Sequence, residues 1–265
     1  EIISNASDAI DKLCYLSLTD DKVGRSREDF RILVTADKDA GTLTVSDNGI
    51  GMTETELEQN LGVIAKSGSM AFKAEHAEDE NAAADTDIIG QFGVGFYSAF
   101  MVSDKVTVIT RAYGSDTAYK WESSGTDGYT ITECEKDSVG TDVIMHMKPD
   151  DDNERYSEYL QPWKLMRLIK KYSDYIRWPI QMDVEHPETK ETGEKNEDGS
   201  PKYETVTKVE RETINSQIPI WQRSKSEVSD EQCMEFYKEK FHDSTDPAAV
   251  IRINAEGQVS YKAML

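Results

Sequence analysis

Three stretches of this chain combine residue types and spacings that could do chemistry. The first sets Glu1, Asn5, Asp8 and Lys12 at i, i+4, i+7 and i+11. In a helix these form one polar stripe beside an apolar stripe of Ile2, Ala6, Ala9, Leu13 and Leu16. An ordinary solvated helix face carries the same pattern, and the Asn5-Ala6-Ser7 sequon inside a helix is an accidental match. The second stretch is Asp47-Asn48-Gly49-Ile50-Gly51-Met52. A carboxylate at a strand end can accept a hydrogen bond from a ligand amine, while the glycines allow close approach of backbone. A turn with no ligand uses the same residues. The third is Gly90-Gln91-Phe92-Gly93-Val94-Gly95-Phe96, running into an apolar helix at 97–102. Its G-x-x-G-x-G spacing matches neither the dinucleotide nor the P-loop fingerprint. What it offers is a set of N–H donors and a positive dipole end, suited to phosphate.

The elements that must position these groups follow from periodicity. Residues 1–18 have helical spacing, and 30–36 and 42–46 alternate as strands around the turn Asp37-Lys38-Asp39-Ala40-Gly41. Thr53 with Glu56 is a capping box that opens a short helix toward Asn60. Residues 75–87 are acidic and alanine-rich without apolar period, as in a solvated, mobile segment. Further strands are expected at 105–111, 118–123, 129–133 and 142–147, then one or two helices over 156–176 interrupted at Pro162. The charge-dense stretch 185–212 reads as a linker or hairpin at a domain boundary. A second unit follows, with a helix from Ser229 to about Phe241 and a strand pair at 250–253 and 257–261.

Composition bounds the function. The 265 residues are 37% hydrophobic, enough for a full core, and 51 acidic against 30 basic residues give a net charge of -21. Such a field repels nucleic acid and anionic membrane surfaces, so neither is an expected partner. One nucleotide remains compatible, because backbone N–H groups and a magnesium ion can hold its phosphates locally. Cys14, Cys134 and Cys233 form no C-x-x-C pair, which fits a reducing compartment. His76, His146, His186 and His242 show no metal-ligand spacing.

Taken in order, the helical E-x-x-x-N, the D-x-G-x-G turn, the glycine loop and Gly140-Thr141 at a later strand resemble the gyrase, histidine-kinase, heat-shock-chaperone and mismatch-repair ATPase superfamily. Ser4-Asn5-Ala6-Ser7-Asp8-Ala9, Ile64-Ala65-Lys66-Ser67-Gly68, Gly90 through Ser98 and Ile218-Pro219-Ile220-Trp221 resemble the heat-shock-protein-90 chaperones, in their bacterial form, along essentially the whole chain. The resemblance implies an α/β fold: a two-layer α/β sandwich of the Bergerat ATP-binding type, with a mostly antiparallel sheet, helices on one face and a partial α/β middle domain. Pattern alone gives only mixed α and β. Its implied divisions are an ATP-binding domain at 1–184, a charged linker or hairpin at 185–212 and the start of a middle domain at 213–265.

By the same resemblance, Glu1 is the catalytic general base and Asn5 the ligand of Mg2+. Asp47 receives the adenine amine, aided by waters near Gly51 and Thr141. Met52 and Phe96 line the pocket and Asn60 reaches the ribose and phosphate side. Lys66 meets phosphate; Asp8, Gly90, Gly93 and Gly95 complete the set that binds ATP or ADP. A mobile lid is implied at roughly 62–93, with client proteins and a homodimer as partners in a cytoplasmic chaperone. The family's first strand and helix, its middle-domain arginine and its dimerisation domain are not found, so the chain reads as a fragment truncated at both ends. It is expected to bind nucleotide but turn it over slowly. A gyrase or mismatch-repair ATPase would have to meet DNA against this charge, and a histidine kinase would not continue into a second α/β unit. A non-catalytic module would be expected to have lost Glu1, Asn5 or Asp47, and all three are present.

Overall fold

The computed structural model describes residues 1–62, 89, 94–195, 201–224, 226–257 and 260–265. The chain divides into two compact units, Glu1–Asn215 and Ser216–Leu265.

In unit 1, helix α1 spans Ile2–Ser17 and is followed by the hairpin of β1, Ile32–Asp37, and β2, Thr42–Asp47. Asp37 Oδ1 accepts from the N–H groups of Asp39 and Ala40, which closes the hairpin turn where an Asp is suited to do so. Helix α2, Glu54–Leu61, starts at the reciprocal Thr53 and Glu56 capping box expected for it. After a short 3-10 turn at Gly95–Ser98 come helix α3, Ala99–Val102, and strands β3, Ser103–Arg111, β4, Ala118–Ser123, β5, Tyr129–Cys134, and β6, Gly140–Met147. Pro162 occupies the first turn of helix α4, Pro162–Tyr172, so it begins this helix and separates it from the 3-10 turn at Tyr156–Leu160. Strands β7, Ile180–Lys195, and β8, Pro201–Thr213, complete the unit.

The sheet order is β5-β4-β3-β6-β2-β1-β7-β8. Every pairing is antiparallel except that of β1 with β7, which is parallel and involves only Ile32 with Ile180 and Leu33 with Gln181. One inward row runs Val34, Val45, Val143, Val108, Trp121 across five strands. Helices supply Ile10, Leu13, Leu57, Leu61, Leu165 and Ile169 to the same core. Each such side chain, once buried, contributes about 1.5–3 kcal/mol by leaving water, so the two layers hold each other in place. The sheet is mixed in only one pairing and helices pack on its core face, in keeping with the expected two-layer α/β sandwich.

Within the 185–212 stretch, residues 185–195 and 201–212 are strand, with β7 and β8 paired from Gln181 with Thr213 to Glu191 with Tyr203, and again at Lys195 with Pro201. Asn215 ties its base down: Oδ1 accepts from the Ile180 N–H at 2.8 Å, and Nδ2 donates to the carbonyls of Ile176 at 2.8 Å and Trp178 at 3.0 Å.

In unit 2, helix α5, Asp230–Phe241, opens on a capping box of Ser229 and Gln232. Strands β9, Arg252–Ala255, and β10, Tyr261–Met264, form an antiparallel pair. Both lie C-terminal to the positions the alternation suggests. The Arg252 guanidinium donates to the carbonyls of Ile220, Arg223, Ser224 and Val228, which holds β9 at that residue.

Candidate functional site

The polar stripe of α1 is not a uniform solvated face. Glu1 and Asn5 are exposed, but Asp8 is only 2% exposed, and Ser7 and Asp11 are buried too. Burial of a carboxylate requires compensation. Asp8 Oδ1 accepts the Ile89 N–H at 2.7 Å, and Arg177 Nη1 lies 3.3 Å from Asp11 Oδ1. Lys12, one turn beyond Asp8, has its ammonium pKa lowered by burial, with Asp8 and Glu56 acting in the opposite direction. The helix therefore turns its polar stripe partly inward, toward the end of the sheet.

Asp47 is the last residue of β2 and shares the inward face with Val45, two residues before it. Its register neighbours run across the sheet as Thr141 on β6, Thr110 on β3 and Tyr119 on β4. Dehydration among these elements pushes the Asp47 carboxyl up to about 7. The Gly49 N–H pulls the other way, and the charge of Asp142 adds to the rise. Oδ1 accepts that Gly49 N–H at 2.8 Å. The carboxyl is thus a hydrogen-bond acceptor whose ionised form a donating ligand would favour.

The turn after Asp47 is fixed from both sides. Ile50 N–H donates to Ala9 O of α1 at 2.9 Å, and Tyr113 N–H to Ile50 O at 2.8 Å. Asn48 Nδ2 donates to Asp29 O at 2.7 Å while Asn48 Oδ1 accepts from Arg31 N–H at 2.9 Å, and Arg25 Nη1 donates to Asn48 O. Gly51 is buried with φ 68°, and a Cβ there would collide with the Arg111 carbonyl, so no other residue fits without moving β3.

Thr110 joins the turn to two strands. Its Oγ1 accepts from Met52 N–H at 2.9 Å and lies 2.9 Å from Thr141 Oγ1 and 3.3 Å from the Gly140 carbonyl. Met52 is half-buried, with Asn60 Nδ2 at 3.9 Å from its sulfur. Phe96 is buried in an aromatic cluster, 5.5 Å from Trp121 and 5.7 Å from Tyr97 between ring centroids. The third motif reaches the first at Gly95, where a Cβ would press on the carboxylate of Glu1.

Of the residues singled out from sequence, Asp47, Gly51, Met52, Asn60 and Thr141 are tied together through the Asp47 turn and the Thr110 bonds, while Glu1 meets Gly95, with Asn5 one turn along α1. Asp8 is held to Ile89, and Phe96 sits in the aromatic core. Lys66, Gly90, Gly93 and nearly all of the 62–93 lid segment lie outside the described residues. Sequence reasoning missed Thr110, Asn48 and Arg25. Thr110 had a signal: with Val106 and Val108 it occupies the core face of β3, where a hydroxyl needs a partner.

A family model described as histidine kinase-, DNA gyrase B- and HSP90-like ATPase matches residues 1–146, and a model described as Hsp90 protein matches residues 158–265. Among curated relatives, Chaperone protein HtpG of Clostridium perfringens is 52% identical over 265 residues, covering all of this chain and 41% of that protein. Chaperone protein HtpG of Bacillus subtilis is 53% identical over 265 residues, again all of this chain, and 40% of that protein. Chaperone protein HtpG of Alkaliphilus oremlandii is 49% identical over the same length, with 40% of that protein covered. The chain spans about two fifths of the length of these relatives.

Proposed function

The chain belongs to the histidine kinase-, DNA gyrase B- and HSP90-like ATPase family, on its Hsp90 branch, and from that premise we propose that it binds ATP and ADP and hydrolyses ATP as part of a molecular chaperone. The observation that carries this is Asp47: a dehydrated carboxyl at a strand end, beside Thr141, facing a helix layer and preceding a turn fixed on both sides. An exocyclic amine donates to such a group; a guanine carbonyl does not. Gly51, Met52, Asn60 and Thr141 surround the base and ribose, and Lys66 with Gly90, Gly93 and Gly95 meets the phosphates.

Glu1 and Asn5 extend from one exposed end of α1. Glu1 takes the proton of the attacking water, and the Gly95 backbone leaves room for its carboxylate. Asn5 is exposed and offers a neutral oxygen of the kind hard cations accept, so it would hold Mg2+. When bound, that ion supplies charge neutralisation at the phosphates. Asp8, through its bond to Ile89, connects α1 to the segment leading into the glycine loop. Nucleotide-driven movement of a lid at roughly 62–93 would be coupled to client proteins and to clamping of a homodimer, in the cytoplasm.

The test is calorimetric titration with ADP, ATP and GTP, with and without magnesium, on the parent chain and on Asp47→Asn. Adenine nucleotides should bind the parent, GTP should bind poorly, and the folded variant should bind none measurably. Equal affinity for ATP and GTP, or unchanged affinity in the variant, would remove Asp47 from the site.

A further inference from the structure

We propose that the β7–β8 ribbon carries a divalent transition-metal site, best matched by zinc, formed by His186, Glu210 and Glu212. One ligand atom from each of the three residues lies within 4.8 Å of the others. The register explains their meeting. His186 pairs with Lys208, Val184 with Glu210 and Met182 with Glu212, so alternation puts all three on one face of the ladder. His186 Nε2 is already 2.6 Å from Glu212 Oε1.

The donor chemistry selects the ion. One imidazole nitrogen with two carboxylates suits zinc or a neighbouring transition metal, whereas magnesium and calcium favour all-oxygen sets. With bonds of about 2.0–2.2 Å in tetrahedral array the ligand atoms stand roughly 3.3–3.6 Å apart, so His186 Nε2 and Glu212 Oε1 would open from 2.6 Å to admit the ion. Partly exposed side chains on a two-stranded ladder can rotate that far, and a solvent water can fill the fourth position. Lys208 Nζ now lies against Glu210 Oε1, and a metal would take the place of that exposed ammonium. Metal bound here would link β8 to β7 through side chains, in a ribbon that, among the described residues, pairs with β1 through Ile180 and Gln181. None of these groups belongs to the proposed nucleotide site.

The experiment titrates zinc into the tag-free chain against a competing chromophoric chelator, and follows backbone hydrogen exchange across 180–190 and 203–213. One zinc per chain should bind, and exchange in both strands should slow. His186→Ala and Glu212→Gln, at partly exposed positions, should each weaken binding at least tenfold with unchanged metal-free melting, while Asn5→Ala should have no effect on it. Zinc bound equally well by His186→Ala would assign it to other groups. Absence of saturable binding, or binding that leaves exchange in the ribbon unchanged, would remove the site.

Discussion

Replacing Asp47 by asparagine should separate the stability of unit 1 from its ligand chemistry. The carboxyl is raised from 3.8 to about 7, chiefly by dehydration. An acid whose folded pKa is raised binds more protons folded than unfolded between those two values, so its ionisation opposes folding as pH rises through that window. A shift of roughly three units at ~1.4 kcal/mol per unit sets a ceiling of about 4 kcal/mol on this cost above pH 7, and relaxation should leave about 2–4. Asparagine keeps the shape, carries no charge, and its Oδ1 can still accept from the Gly49 N–H. Urea denaturation of parent and variant from pH 4 to 8.5 measures the difference. Asp47→Asn should be the more stable at pH 8, and the gap should close as pH falls toward about 4. Nucleotide affinity of the parent should weaken by up to about tenfold per unit below pH 7, as the acceptor is protonated. The variant should be stabilised yet unable to bind. A variant less stable than its parent at pH 8, or a gap indifferent to pH, would refute the account of Asp47 as a dehydrated acid held ready for a donor.

Gly95→Ala should leave the melting transition close to that of the parent, because its Cβ meets only the mobile end of Glu1, but it should slow ATP turnover more than it weakens ADP binding; single-turnover kinetics beside a binding titration checks this. Thr110→Val keeps the volume but leaves the half-buried Met52 N–H without its acceptor and Thr141 without its buried hydroxyl partner, and should cost about 1–3 kcal/mol in urea denaturation. Asn215→Ala removes the acceptor for Ile180 N–H and the donor to two carbonyls at once. It should destabilise unit 1 by more than 2 kcal/mol, about the loss for one or more buried groups left unsatisfied, with faster hydrogen exchange at the base of β7.

Much of the architecture was legible because its signals are local. Thr53 and Glu56 announce α2 within four residues, the interruption expected at Pro162 falls where α4 begins, and alternation in 30–36 and 42–46 gives the first hairpin to within a residue or two of its ends. Long-range compensation was not legible. Nothing near Asp8 or Asp11 says that both are buried, because their partners Ile89 and Arg177 come from distant elements. Asn215 resembles any loop asparagine until the carbonyls of Ile176 and Trp178 are seen around it. The shift of β9 and β10 has the same origin, an arginine whose four carbonyl partners no periodicity reveals. For the candidate site, residue types in order pointed to the Asp47 turn, but its clamp by Arg25 and Asn48 and its link through Thr110 depend on tertiary packing.

The row from Asp47 through Thr141 to Thr110 also has a consequence in time. β2, β6 and β3 lie side by side in space, yet β6 enters between two strands made long before it in the chain. Closing such a loop costs entropy that is recovered only when the strand docks on both neighbours. Until then Asp47 has no Thr141 beside it and Met52 is held by a threonine that lacks its own partner. Competence to hold a ligand should therefore emerge late in folding and all at once, with the insertion of one central strand. A ligand that binds only the completed row would then stabilise the sheet at the step where this central strand is committed.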